Sequence, residues 1–95
     1  MGKEKFIVRA DRAGVFFGEI ASREGSEVVM RNCRRLWYWE GAASLSQLAT
    51  EGVKYPKDCK FTVTVKQATI LGVIEIIPCT KEAVKSIDSV EVWKI

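Results

Sequence analysis

The segment Glu27 to Trp39 constrains the fold of this chain more than any other. Its alternate members are Val29, Arg31, Cys33, Arg35, Trp37 and Trp39, and the residues between them are Val28, Met30, Asn32, Arg34, Leu36 and Tyr38. Successive side chains of a strand point to opposite faces, so a half-buried strand shows one apolar set and one polar set. Here both sets mix apolar and charged residues. The segment therefore reads as two strands joined at Asn32-Cys33-Arg34 by a turn or bulge, with the register left open.

The flanking sequence is strand-rich. Lys5 to Ala10 reads as a strand ending in the turn chemistry of Asp11-Arg12-Ala13-Gly14. Val15 to Arg23 reads as a second strand, in which Gly18 marks a bulge or a close backbone approach. Ser44-Leu45-Ser46-Gln47 has the form of a capping box, with the Ser44 hydroxyl accepting the Gln47 amide and the Gln47 side chain reaching back to the Ser44 amide. A helix of about two turns follows, buries Leu45, Leu48 and Ala49, and stops at Gly52 with Pro56 beyond. Phe61, Val63 and Val65 alternate with Thr62, Thr64 and Lys66 as in a half-buried strand, and Ile70 to Ile77 reads as a more buried one. Thr80 caps a second short helix over Lys81 to Ser89, with an apolar stripe of Ala83, Val84 and Ile87, and Val90 to Ile95 alternates like an edge strand. Ninety-five residues suffice for one core. The expected fold is a single α+β domain over residues 1–95, a mainly antiparallel sheet of about five or six strands with two short helices on one face.

Several function classes lose support. The longest nearly uncharged run, Gln67 to Thr80, is broken by Glu75 and Pro78 and is too short to cross a bilayer, so no membrane partner is expected. The first residues lack the apolar core of an export signal, which points to a cytoplasmic protein. Cys33, Cys59 and Cys79 are odd in number and widely spaced, and the chain has no histidine. A disulfide framework or zinc site is not expected, and the thiols read as packing groups. Without histidine, acid-base catalysis at neutral pH needs a carboxylate, lysine or cysteine of strongly shifted pKa, so a binding protein is favoured over an enzyme. Asp11 could meet Glu19 or Glu40 across a hairpin, yet no spacing demands a metal, and no glycine-rich phosphate or dinucleotide motif implies a cofactor.

One stretch carries candidate chemistry. Arg31, Arg34 and Arg35 concentrate positive charge in a chain of net charge +3 and offer bidentate contacts to phosphate. Trp37, Tyr38 and Trp39 offer stacking faces, and the segment runs into a helix start where Ser44 and Ser46 contribute polar groups and Gly41-Ala42-Ala43 lets a ligand approach the backbone. These eight arginine, aromatic and serine side chains form the candidate ligand site, with Arg34 and Arg35 expected at the surface and dispensable for stability. One of Trp37 and Trp39 should belong to the core of so small a domain. Alternation puts them on the same face, so a bulge or the turn at Gly41 must swing Trp39 away.

The stretches Arg34 to Ala49, Glu51-Gly52-Val53 and Val73 to Cys79 resemble a family of short proteins encoded by phages and prophages and described only as a domain of unknown function. The resemblance extends from about Phe6 to Trp93 and carries no site residues with it. It implies a viral product acting in a bacterial cytoplasm. That setting suits a non-enzymatic accessory protein that sequesters a small phosphorylated, nucleotide-like ligand, such as a host defence signal, as a homo-oligomer. A nucleic-acid-binding or host-protein-binding module is the alternative. The apolar content and the expected C-terminal edge strand favour a homo-oligomer.

Overall fold

A computed structural model describes residues 4–95. Strands β1 (Phe6–Ala10), β2 (Gly14–Glu24) and β3 (Glu27–Tyr38) form a meander. Helix α1 (Leu45–Glu51) and a single 3-10 turn (Pro56–Asp58) precede β4 (Lys60–Phe61), β5 (Val65–Ile70), β6 (Val73–Pro78) and helix α2 (Lys81–Asp88). The architecture is α+β, with every strand pair antiparallel.

The pairing order forces this sheet to roll up. β4 and β5 both pair with β3, on the side away from β2, and β6 pairs with β1 at the other end of the order. A flat sheet would hold β5 and β6 four strand spacings apart, roughly 19 Å. Only Leu71 and Gly72 join them, and three Cα steps reach at most ~11 Å. The same link touches both ends of β2: the Asp11 amide donates to the Gly72 carbonyl at 2.8 Å, and the Val73 amide donates to the Ser26 carbonyl at 2.9 Å. An eleven-residue strand would span roughly 33 Å if straight, so β2 must coil.

Rolling gives the sheet two buried faces. Val8, Phe16, Val28, Met30, Cys33 and Ile70 fill the inside. Ile7, Phe17, Leu36 and Phe61 face outward and pack with Leu48 and Ala49 of α1 and Ile87 of α2. Chain neighbours Ile7 and Val8, and likewise Phe16 and Phe17, thus belong to different clusters.

Two irregularities bend the long strands. Phe17 pairs with Arg34 and Glu19 with Arg31, so β3 holds one residue more than β2 in this interval. Asn32 takes φ 50° there, and a Cβ on Gly18 would lie 2.7 Å from Cys33 Cα. Gly18 is thus the close approach that its position suggested. The second shift places an extra residue in β2 between Ile20 and Ser22.

The structure corrects several expectations. Glu27–Tyr38 is one continuous strand: the bulge at Asn32–Cys33 is present and the alternative of a turn is not. Phe61 and Val65 do not share a strand. β4 ends at Phe61 and β5 begins at Val65, leaving Val63 and Val65 exposed. Ile70 to Ile77 is divided by Leu71-Gly72, because the chain must leave β3 for β1. The C-terminal segment makes a single parallel bridge, Val92 to Phe61, rather than an edge strand. Both helices lie near their expected bounds, with Ser44 and Thr80 accepting from the amides of Gln47 and Ala83. The Gln47 side chain, however, accepts from the Ala43 amide at 2.8 Å and not from Ser44.

Candidate functional site

The bulge in β3 decides which residues of the candidate segment can meet a ligand. Val28 and Met30 point into the rolled sheet, so Arg31 points out of it. Without the extra residue, Arg34 and Leu36 would continue the inward set. With it, Cys33 turns inward, Arg34 and Leu36 face the helices, and Arg35 and Trp37 fall on the opposite face, where the sheet opens.

Arg34 is consequently not a surface phosphate ligand. It is 6% exposed. Its Nε donates to the Thr62 carbonyl at 3.0 Å and its Nη2 to the Phe61 carbonyl at 3.1 Å. Its Nη1 donates to the carbonyls of Val90 at 3.1 Å and Ile87 at 3.4 Å. The guanidinium also lies over the Phe61 ring. Burial pulls its pKa below the ordinary value, and the charge of Asp88 acts in the opposite direction. The group ties the turn that follows α2, through the Val90 carbonyl, to β4 and Thr62, and its charge lies near the C-terminal end of the helix, where a cation is favoured.

The remaining candidates scatter. Arg31 is exposed on the outer surface opposite Glu19, which also accepts from the Asn32 amide group at 3.3 Å. Trp39 packs against the core under the helices. The exit from β3 therefore turns Trp39 toward the core and leaves Trp37 outside, the reverse of the expected separation. The Tyr38 hydroxyl donates to the Glu40 carboxylate. Ser44 and Ser46 are exposed, but α1 has only seven residues, and the Ser44 and Gln47 side chains already occupy the Gln47 and Ala43 amides. Gly41 is close-packed against its own chain, since a Cβ there would lie 2.5 Å from the Lys54 nitrogen. The space on that side of Gly41 is filled by Lys54 and is not available to a ligand.

What the structure does assemble is a face built on Arg35 and Trp37. Trp37, 63% exposed, stacks with Trp93, 46% exposed, with ring centroids 6.4 Å apart and planes 8° from parallel. The Trp93 amide donates to the Phe61 carbonyl at 2.9 Å, which fixes the C-terminal segment beside β4. Lys60 Nζ lies 5.5 Å from the Trp93 ring centroid, and the Arg35 guanidinium lies 4.7 Å from that of Phe16. Sequence reasoning missed Lys60 and Trp93. Their long-range pairing left no local motif; the one signal was a third tryptophan in a domain whose core needs fewer.

Beside Arg35 the separation of β4 from β5 leaves a cleft of ≈ 420 Å³ lined by Phe16, Cys33, Thr62, Val63, Val65, Gln67 and Ala68. The thiols are not poised as nucleophiles: burial raises Cys33 and Cys59, and raises Cys79 to about 11. Among the described residues, no group of three or more Cys, Asp or Glu side chains comes together to hold a metal ion, and no helix is long and apolar enough to cross a membrane. The profile of a family described as a domain of unknown function (DUF6948) matches residues 3–87. No curated protein and no solved structure matches the chain.

Proposed function

Because the chain belongs to this family of unknown function, and membership brings no activity with it, we propose a function from the exposed face alone: a non-enzymatic binding protein for a phosphorylated, base-bearing ligand. The observation that carries the reading is the solvent-exposed, near-parallel pair Trp37–Trp93 with Lys60 against it. Exposed indoles cost solvation free energy that a purely structural role does not recover, and a planar base laid on them removes apolar surface from water on both partners. Lys60 and Arg35 supply cations at the rim for phosphate oxygens. The resemblance to phage-encoded proteins extends this reading to sequestration of a host nucleotide signal in a bacterial cytoplasm by a homo-oligomer.

The test is a thermal-shift and tryptophan-fluorescence screen of the full chain against linear and cyclic nucleotides and short oligonucleotides. A ligand at 100 times its Kd adds about 2.7 kcal/mol to stability. The reading expects such a shift with at least one base-bearing phosphate, and its loss in Trp37→Ala and Trp93→Ala. A screen without any shift or quenching overturns it, and a host protein bound through the same tryptophans without nucleotide replaces it.

A further inference from the structure

Resting on that reading, we infer that the ligand is a single-stranded nucleic acid and that the cleft beside Arg35 takes a second base. Arg35 and Trp37 lie two residues apart on one face of β3, a step of roughly 6.6 Å that suits adjacent bases of an extended strand. One base stacks on Trp37 and Trp93. Its neighbour then meets the Arg35 guanidinium and enters the cleft, whose Phe16, Val63 and Val65 are apolar and whose Gln67 amide can donate to or accept from a base edge. Lys60 stands beside the Trp93 ring and Arg35 beside the cleft, one cation for the phosphate at each subsite.

Shape favours a strand over a mononucleotide. Small-molecule sites usually bury about 70–90% of their ligand. Here Trp37 is 63% exposed and Val63 46%, so neither subsite encloses a nucleotide. A surface of this kind gains affinity by repeating shallow contacts along a chain, each base stacking and each phosphate releasing counterions. A duplex keeps its bases stacked on one another and cannot use either subsite.

The deciding experiment is a tryptophan-fluorescence titration of the full chain with homopolymer strands of one, two, four and eight nucleotides, at low and physiological salt, with a duplex control. We expect affinity to rise at least about tenfold from one nucleotide to two. Neutralising two phosphates gives a salt slope of about −1.4, which Arg35→Ala lowers to about −0.7. Val63→Glu, an exposed change that places a negative charge in the cleft, removes the gain from the second nucleotide while mononucleotide binding persists. Equal affinity for one nucleotide and eight, or for duplex and single strand, overturns this inference and leaves the base-binding reading standing. A length gain that survives both Arg35→Ala and Val63→Glu overturns the cleft as its site. Absence of binding at every length overturns inference and reading together.

Discussion

Replacing Arg34 tests whether the bulge in β3 turns that arginine into structure. Three of its hydrogen bonds to carbonyls are 3.0–3.1 Å long and a fourth is 3.4 Å, at a side chain 6% exposed. A hydrogen bond to a charged group contributes about 1.5–3 kcal/mol. Taking the low end for the three short ones gives about 4.5 kcal/mol, reduced somewhat because the Phe61 carbonyl keeps the Trp93 amide as a donor. Arg34→Ala should therefore lose about 3–5 kcal/mol of the roughly 5–15 kcal/mol that holds a small domain together. Arg34→Lys keeps the charge and so should lose somewhat less, but it should not rescue the domain, because one ammonium cannot span acceptors on Phe61, Thr62 and Val90. Arg34→Met keeps the apolar stem but takes this donor from the Thr62 and Val90 carbonyls, so it should resemble Ala. Urea unfolding followed by circular dichroism measures this as a fall in midpoint at unchanged slope. If Arg34→Ala costs less than about 0.5 kcal/mol, as a surface substitution would, the guanidinium does not hold these carbonyls and the assignment of faces along β3 is wrong.

Other outcomes follow from the same geometry. Trp39→Ala should destabilise by roughly 3 kcal/mol, because the ring packs on the core, whereas Trp37→Ala should change the urea midpoint little. Gly18→Ala should cost about 1–3 kcal/mol, since its methyl group would sit 2.7 Å from Cys33 Cα and 2.9 Å from the Asn32 carbonyl oxygen; a variant as stable as the parent contradicts the bulge. Burial raises the Cys79 thiol from 9.0 to about 11. The folded state then holds this proton more tightly than the unfolded one. The associated stability is present below pH 9 and lost as pH rises toward 11, by no more than about 3 kcal/mol. Urea midpoints from pH 8 to 11 should fall less steeply in Cys79→Ala than in the parent.

How far the sequence reveals this molecule can be read along β3. The mixed composition of both alternating sets of Glu27 to Trp39 signalled an interruption at Asn32–Cys33, and the bulge is there. What the composition could not tell is which set changes face. That depends on Gly18 in the neighbouring strand and on the helices that cover Leu36, both remote in sequence. The helices were legible because capping is local: Ser44 and Thr80 lie within three residues of the amides they accept. The strands after Lys60 were not. Phe61-Thr62-Val63-Thr64-Val65 has the period of a half-buried strand, yet the rolled sheet needs both Phe61 and Val65 on β3 at different heights and spends Thr62–Thr64 on the step between. Of the candidate site, Arg35 and Trp37 keep the exposure that a ligand requires, Arg34 and Trp39 are absorbed by packing, and Lys60 and Trp93 join through contacts that no nearby residue announces.

The indole N–H signals of the three tryptophans in a heteronuclear NMR titration with a short single-stranded oligonucleotide test the central claim most directly. The account predicts that Trp37 and Trp93 shift together and saturate at one Kd, while Trp39, held against the core, stays in place. Shifts confined to Trp39, or three unmoved signals at saturating ligand, would contradict it.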